Sequence, residues 1–473
     1  MHRIVIVGGG MAGLTAAVDL LASSAGTDLD VTVLEATDRP GGKLRQETIA
    51  GHLADVGAEA MLGLRPEARD LIEQIGAVDQ IVTPATMAAS IYSYGALHPM
   101  PPRSLMGIPN SPDDARGILS PEDLARLAAP VQQPPIDGDA SVGDYVAATL
   151  GDAVVDRLVD PLLGGVYAGS ARDLSLAATL PMLYPRALAG EPLLGAGAGA
   201  APARPASRTA GSPAPPPAFI GLRGGVGRFP DLLQEAIEQR GGTVRTGVTV
   251  RELRRTDRGT WSLTTGSTTD PATVEADAVI LATPVAPTRR LIADLAPAAA
   301  EQLAGIESAS MVVATFAFPA ADMPPLDGSG FLVPPVEGRF VKASTFSSSK
   351  WGWLPQLAPE VVYVRASFGR HGEEAALQRP DDELLHAALA DLTGILDLAL
   401  PDPIDTHIQR WGGGLPQYAV GHLDRIALVR KAISEVERLE VAGAAYDGVG
   451  IPAVIGSGRR AAGVIRAQLG LPD

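Results

Sequence analysis

An α/β fold follows from three features of the sequence. The chain opens on a short apolar, β-branched run, Ile4–Val7. A glycine turn comes next, Gly8-Gly9-Gly10-Met11-Ala12-Gly13, and leads into a helical face of Leu14, Ala17, Val18 and Leu21. A second β-branched run, Val31–Leu34, then ends in Glu35. Strand, turn, helix and strand in that order begin a parallel sheet, with the helix covering one face.

Each part of this unit has a chemical reason. Gly8 permits the tight turn, Gly10 lets backbone approach a diphosphate, and Gly13 lets the helix pack close to the strand. Met11 and Ala12 open the helix, where amide groups lack intrahelical partners and carry partial positive charge. Glu35 stands about 20 residues beyond the last glycine, where a carboxylate meets ribose hydroxyls and disfavours a 2′-phosphate. The unit is therefore Rossmann-like and suited to a dinucleotide.

The residues that follow separate the two common dinucleotides. Ala36-Thr37-Asp38-Arg39-Pro40-Gly41-Gly42-Lys43 supplies a second glycine pair. A nicotinamide dinucleotide has no general need of it, whereas FAD has a long ribityl-diphosphate chain for close backbone to pass. The expected cofactor is FAD. The chain has no cysteine, so a cysteinyl-flavin link, disulfides, Fe–S clusters and thiolate catalysis are excluded, and the flavin is expected to be held non-covalently.

Composition bounds the rest. With 473 residues the chain can build two or three domains. A formal net charge of −16 argues against a broad nucleic-acid surface. It also means that an anionic substrate needs a local basic patch working against the global field. The seven histidines are scattered, so neither a metal cluster nor a Ser/His/Asp triad is evident. The first strand follows Met1-His2-Arg3 at once, which leaves no signal-peptide pattern, and no apolar run is long enough to span a bilayer. A cytoplasmic protein is expected, with peripheral contact with a membrane left open.

Farther along, residues 64–80 read as a helix, and Ser90–Leu97 as a strand pair turning at Tyr94-Gly95. Residues 120–130 and 141–160 read as helices that start at Ser120 and Ser141. Residues 189–219 are rich in Gly, Ala and Pro and are expected as a flexible low-complexity loop, because such composition buries little apolar area. Arg228–Arg240 reads as a helix, and Thr243–Val250 and Val274–Ala282 as strands returning to the nucleotide fold. Residues 310–370 read as β-rich and 381–397 as an amphipathic helix. A strand at Leu439–Ala442 and a helix from about Ile455 to Leu469 close the chain.

Several segments carry a resemblance. The pattern from Glu35 to Lys43 resembles that of flavin amine oxidases, and Asp55-Val56-Gly57-Ala58-Glu59 their next flavin-facing segment. Ala278–Pro284 is similar to their strand and turn beside the adenosine. Gly165-Val166-Tyr167-Ala168-Gly169, Leu222–Gly225, Gly330–Pro334, Leu415-Pro416-Gln417-Tyr418 with Gly421-His422, and Ala442–Pro452 narrow it further. In this order they resemble the oxygen-dependent porphyrinogen oxidases of haem biosynthesis, over nearly the whole chain apart from the loop.

The resemblance implies a flavin amine oxidase-type α/β fold: an FAD-binding domain from 1–65, 220–300 and 432–473, a β-rich substrate domain from 66–110 and 301–431, and a helical domain at 111–188. It implies oxidation of a porphyrinogen by FAD and molecular oxygen in three two-electron steps that form hydrogen peroxide. One branch of the family acts on protoporphyrinogen IX and the other, found in Gram-positive bacteria, on coproporphyrinogen III. The Ala, Gly, Pro and Arg content and the lack of an anchor favour the coproporphyrinogen branch. Eukaryotic members carry a basic residue just before the strand at Ile91–Tyr94; here Ala89 stands there, so the propionate partner lies elsewhere, with Lys342, Arg365 and Arg45 as candidates by type.

The resemblance also implies site roles. Gly57, Ala58, Val248, Ala282 and Trp411 are expected around the cofactor, with Gly448, Val449 and Ile451 at the ring end. The Gly165 carbonyl is expected to hold a pyrrole N–H, and Glu59 to accept a proton or orient the ring. Leu332, Ser367 and Tyr167 are expected to line the substrate pocket. Alternatives are an amine oxidase or carotenoid desaturase, which share the pattern of the first 60 residues but not the Gly165–Gly169 and Leu415–His422 segments, the amine oxidase being further disfavoured by an aromatic content of 4%, and a non-catalytic flavoprotein that hands a tetrapyrrole to a partner such as a ferrochelatase.

Overall fold

The computed structural model describes residues 1–22, 29–102, 104–132, 134–199 and 217–471. Five parallel strands form the nucleotide sheet, in the order Thr243–Arg245, Leu29–Leu34, His2–Val7, Ala278–Leu281 and Leu439–Val441. They come from three separate stretches of chain. Both faces are covered, so the central strands are apolar on both sides over Ile4–Val7 and Ala278–Leu281. Ile4, Ile6, Val31 and Val33 bury against the helices Met11–Ala22, Phe229–Gln239 and Ile451–Gln468. Val5, Val7, Val279 and Leu281 point the other way, as the strand period of two requires. They pack with Trp261 and Leu263 and with the helices Val285–Ile292, Pro297–Ala304 and His422–Ser434.

A second, seven-stranded sheet runs in the order Asp405–Pro416, Ser308–Pro319, Val361–Phe368, Val341–Phe346, Gly330–Leu332, Ser90–Ser93 and Ala96–Pro99. Its pairs are antiparallel except Gly330–Leu332 with Ser90–Ser93. One face carries Phe316, Phe318, Val364 and Phe368 and is covered by the helix Asp381–Leu396. Cross-strand partners share a face, so the pairs Val313–Ser367, Thr315–Arg365, Ala343–Ser367 and Thr345–Arg365 place small and polar residues on the other. Helices between residues 121 and 189 form a third body around Leu127, Val146, Leu158, Leu163 and Leu180.

Local expectations are met where caps and turns are strong. Ser120 Oγ accepts the amide of Asp123 at 3.1 Å and Ser141 Oγ that of Asp144 at 3.0 Å, starting their helices. Tyr94 and Gly95 both take positive φ, 51° and 81°, the turn that matches strand twist.

Other boundaries differ, each for a physical reason. The helix expected over 64–80 is Pro66–Gln74 followed by the 3₁₀ turn Val78–Gln80, with Gly76 at φ +74° between them. The helix expected over 141–160 breaks after Leu150 at Gly151, φ +102°, and resumes through a π turn at Val155–Val159. The strand expected to reach Val250 stops at Arg245, because the chain leaves the sheet to cross Glu35 and Thr37: Gly247 N donates to Thr37 O and Val248 N to Glu35 O. Val274–Ala282 is two strands in two sheets, changing over at Asp277, whose carboxylate accepts the amide of Arg3. The closing helix begins at Ile451, since Pro452 is tolerated in a first turn. Of the expected loop at 189–219, residues 200–216 lie outside the described residues. On its flanks Leu193 and Ala196 are buried in the helical core and Phe219 opens the strand Phe219–Leu222.

The glycine turn depends on contacts too close for a side chain. A Cβ on Gly13 would stand 2.0 Å from Gly8 O. Gly13→Ala is expected to lower stability by about 3 kcal/mol through forced separation of strand and helix, read by urea denaturation of the flavin-free protein.

Candidate active site

A cavity of about 850 Å³ lies between the two sheets. Its first end is formed where the parallel strands finish, by Val7, Gly8, Leu34 and Glu35, the place where open α/β sheets bind ligands. Two helices begin at the cavity, one with Met11 and Ala12, the other with Ile451. The far wall is the small-residue face of the seven-stranded sheet, with Val313, Ala343, Thr345, Arg365 and Ser367. Gly165 and Val166, in the last turn of the helix Asp160–Tyr167, close one side.

Most of the residues expected at the site line this cavity: Gly8, Gly10, Met11, Ala12, Glu35, Ala36, Gly42 and Lys43, then Gly57, Ala58, Glu59, Gly165, Val248, Ala282, Ser367 and Trp411, and finally Val449 and Ile451. Five stand behind the wall instead. Gly13 holds the helix to the turn. Arg39 donates to Gln46 O at 3.1 Å and fastens the loop beside the cavity. Gly448, φ +126°, shapes the approach to Val449, and a Cβ there would come 2.7 Å from that of Ala453. Leu332 packs into the helical core and stands 3.9 Å from where a Gly165 Cβ would lie. Tyr167 turns its ring toward Tyr418, with centroids 5.5 Å apart. Tyr167 thus supports the substrate wall from within the helical core, and Leu332, partly buried, stands beside Gly165 at the edge of that wall.

The residues present fit FAD. The Cβ position of Gly10 meets nothing within 4 Å, so its backbone borders open space directly before the first helix. Gly9 N donates to Glu35 Oε2 at 2.7 Å and Thr37 N to Oε1 at 2.8 Å, which fixes the carboxylate at the strand end. Glu35, Ala36, Val248 and Ala282 would hold the adenosine, and Gly10 to Ala12 with Gly42 and Lys43 the diphosphate. Gly57, Ala58, Trp411, Val449 and Ile451 would surround the ring. Trp411 is itself fixed by donating to Val56 O at 3.3 Å.

Glu59 is the acid of a largely buried ion cluster. Its Oε2 accepts Arg365 Nη1 at 2.6 Å and Ser347 Oγ at 2.9 Å, and its Oε1 accepts the Trp351 indole. Lys350 Nζ stands 3.6 Å from Oε1. Burial would raise this carboxyl, but Lys350 and Arg365 outweigh it and hold it at about 2. An acid so low makes a poor proton acceptor at neutral pH, so this geometry speaks against the proton-accepting role and leaves the orienting one. Arg365 also donates from Nη2 to Gly57 O at 2.6 Å, which ties the flavin-facing segment to the sheet.

Asp55, four residues earlier, is fully enclosed. Its oxygens accept Val226 N at 2.8 Å and Gly227 N at 2.9 Å. Burial nonetheless pushes it up to about 6. Asp55 and Gln46 together leave no room for side chains at Gly225 and Gly227: a Cβ on Gly225 would meet Gln46 Nε2 at 2.3 Å and Asp55 Oδ1 at 2.6 Å, and one on Gly227 would meet Gln46 Cγ at 2.5 Å and Asp55 Oδ1 at 2.9 Å.

The segment Gln417–His422 joins two walls. Gln417 Nε2 donates to Tyr167 O at 2.7 Å, and the Tyr418 hydroxyl donates to Ala444 O. The His422 ring stacks on Tyr418 at 3.9 Å and bonds through Nε2 to Ala445 O at 3.0 Å. Burial lowers His422 to about 4, which keeps it neutral.

The three cations weighed as propionate partners fare differently. Arg365 lines the cavity but is engaged by Glu59 and Gly57. Arg45 pairs with Glu47 at 2.6 Å, off the cavity. Lys342 is buried at 3% exposure, lowered by that burial to about 7, and is not part of the cavity wall. The cation that lines this wall beside Arg365 is Lys350, which sequence reasoning missed. It sits in Ser347–Lys350, where no spacing marks a site, and only the fold brings it to Glu59.

A parallel dinucleotide sheet, two helix starts on one cavity and a small-residue sheet face opposite define an FAD-dependent oxidoreductase. The chain matches the family described as flavin containing amine oxidoreductase over residues 11–466, and it belongs to that family. It is 37% identical over 473 residues to the coproporphyrinogen III oxidase of Mycobacterium tuberculosis, covering 98% of this chain and 97% of that one. It is 29% identical to the coproporphyrinogen III oxidase of Staphylococcus aureus, covering 98% and 99%. A solved structure from Exiguobacterium sp. 255-15, provisionally assigned as a protoporphyrinogen oxidase, superposes with a TM-score of 0.83 at 30% identity over 99% of both chains.

Two outcomes follow from the buried acids. Glu59→Gln leaves Arg365 and Lys350 without their counter-charge, and is expected to destabilise the protein by about 3–5 kcal/mol in urea denaturation. The pH dependence of stability has opposite signs for the two carboxylates. The contribution of Glu59 is complete above its unfolded value of 4.5 and is lost as pH falls through about 2. That of Asp55 is complete below 3.8 and is lost as pH rises through about 6. Unfolding free energy measured from pH 4 to 6 should carry a decline on the order of 2–3 kcal/mol from Asp55, and Asp55→Asn should remove it.

Proposed function

We propose that the protein oxidises coproporphyrinogen III to coproporphyrin III, with FAD bound and molecular oxygen as the acceptor. The observation that carries this reading is the 37% identity, over 98% of the chain, to a protein named for that reaction. The cavity is compatible with it. Val313, Ala343, Thr345 and Ser367 form a wall of short side chains, which leaves width for a flat macrocycle.

When bound, FAD supplies a two-electron acceptor that oxygen renews, so the chain itself has to bind, orient and exclude water. Gly165 lies in a last helical turn, where carbonyl groups run out of intrahelical partners. Its carbonyl is proposed to accept a pyrrole N–H and set the face the macrocycle presents. The helix starting at Ile451 is proposed to favour negative charge at its end of the cavity. The segments 1–65, 220–300 and 432–473 are proposed as the FAD-binding domain, and 66–110 with 301–431 as the substrate domain. The helical region 111–188 is proposed as the face toward a product-consuming partner such as a ferrochelatase, or toward a membrane surface. Met182 and Leu188 are exposed there, and among the described residues no helix is long and apolar enough to cross a membrane.

The test is a side-by-side assay. Coproporphyrinogen III and protoporphyrinogen IX, prepared without oxygen, are mixed with the flavin-loaded protein and admitted to air while porphyrin fluorescence is followed. Faster oxidation of coproporphyrinogen III is expected. A preference for protoporphyrinogen IX would overturn the substrate assignment, and no acceleration of either would overturn the reaction.

A further inference from the structure

We propose that Lys350 is the carboxylate seat of the cavity and receives a propionate of the macrocycle; the proposal rests on the function inferred above and names the residue that recognises its substrate's charge.

The argument starts from a charge count on the substrate side of the cavity. Glu59, Lys350 and Arg365 are the charged residues that line it there among the described residues. Arg290 lies on the helix Val285–Ile292 of the nucleotide domain, and Lys43, whose stem passes Gly414 of the second sheet, is the cation already assigned to the diphosphate. Glu59 has its oxygens filled by Arg365, Ser347 and Trp351. Arg365 in turn spends Nη1 on Glu59 and Nη2 on Gly57 O, and its Nε is enclosed without a partner. Lys350 stands 3.6 Å from Glu59, close enough for attraction and too far for a hydrogen bond. One acid and two cations leave one positive charge over; the remaining Arg365 donor, Nε, is sealed from solvent, and the cation whose donors stay open to an incoming group is Lys350.

The position is fixed. Lys350 ends the short helix Ser347–Lys350, and its carbonyl accepts the amide of Ala85 at 2.7 Å. The ammonium lies 5.5 Å from the centre of the Trp351 ring, which holds it by cation–π attraction. Its side chain is 17% exposed, so a carboxylate arriving there meets a partly desolvated cation. The neighbouring wall of Ala343, Thr345 and Ser367 offers no competing charge. In a chain of net charge −16, this is the local basic point that a polyanionic substrate requires. Coproporphyrinogen III carries a carboxyethyl arm on each ring, long enough for one arm to reach the edge of the cavity while the macrocycle lies on the sheet face.

The experiment measures binding of coproporphyrin III, and separately of its tetramethyl ester, to the holoenzyme by fluorescence quenching, so that turnover is not needed. Lys350→Gln is expected to weaken coproporphyrin III about tenfold, and Lys350→Arg to restore it to within about threefold. The ester should bind wild type and Lys350→Gln alike. Equal loss for acid and ester would overturn the proposal, since the lysine would then act by shaping the wall. Unchanged coproporphyrin III affinity in Lys350→Gln would overturn it with the functional reading intact. Failure of the wild-type holoenzyme to bind coproporphyrin III would sink the functional reading and the proposal together. Flavin content, measured in each variant by release on denaturation, should equal wild type; loss of flavin in both variants would also count against the proposal.

Discussion

The structure depends on the backbone contact between its opening and closing helices. Gly458 faces Ala12 so closely that a Cβ would stand 2.3 Å from the Ala12 carbonyl oxygen. Gly13 faces Gly8 in the same way. These approaches let Met11–Ala22 lie against Ile451–Gln468, and so both helices start at one cavity. Aligned peptide dipoles then present positive potential from two directions. The nucleotide sheet, its covering helices and the flavin wall take their places around that pair.

A second organising element is electrostatic. Moving Glu59, Arg365 and Lys350 out of water is unfavourable, and pairing offsets this only when geometry satisfies the remaining donors and acceptors. Ser347, Trp351 and Gly57 O supply most of those partners, while the Arg365 Nε is left without one. The cluster joins the flavin-facing segment, a sheet strand and a short helix, so a shift in one is felt by the others. Asp55 does a related task close by, fastening the turn at Val226 and Gly227. The two acids flank the same short stretch of backbone and are pushed in opposite directions, one by neighbouring cations and the other by enclosure.

How much was legible in the sequence follows from how local each signal is. The glycine turn, Glu35 and the second glycine pair act through backbone shape within a few residues, and their places in the cavity could be read directly. The Ser caps and the Tyr94-Gly95 turn are equally local. Boundaries set by tertiary crossings were not legible: Val248 leaves its strand to cross Glu35, and Asp277 marks a change of sheet that a continuous apolar run conceals. Side-chain direction was not legible at Tyr167, whose ring turns to Tyr418 within the helical core. Lys350 was invisible for a deeper reason. Nothing in Ser-Ser-Ser-Lys-Trp encodes its partner, which lies nearly three hundred positions earlier and meets it only through the register of the second sheet.

The order in which the nucleotide sheet is assembled has a consequence for biosynthesis. Its strands come from residues 2–34, 243–281 and 439–441, and the second helix start follows the last of them. A chain emerging from a ribosome therefore carries the glycine turn long before it has the strand and helix that complete the cavity. Contacts of such sequence separation form late and slowly. The flavin-holding state belongs to the finished polypeptide, and a nascent chain stopped before residue 439 exposes the apolar edge of Ala278–Leu281 where Leu439–Val441 would pair. Protection of that edge during synthesis is a task the fold leaves to the cell.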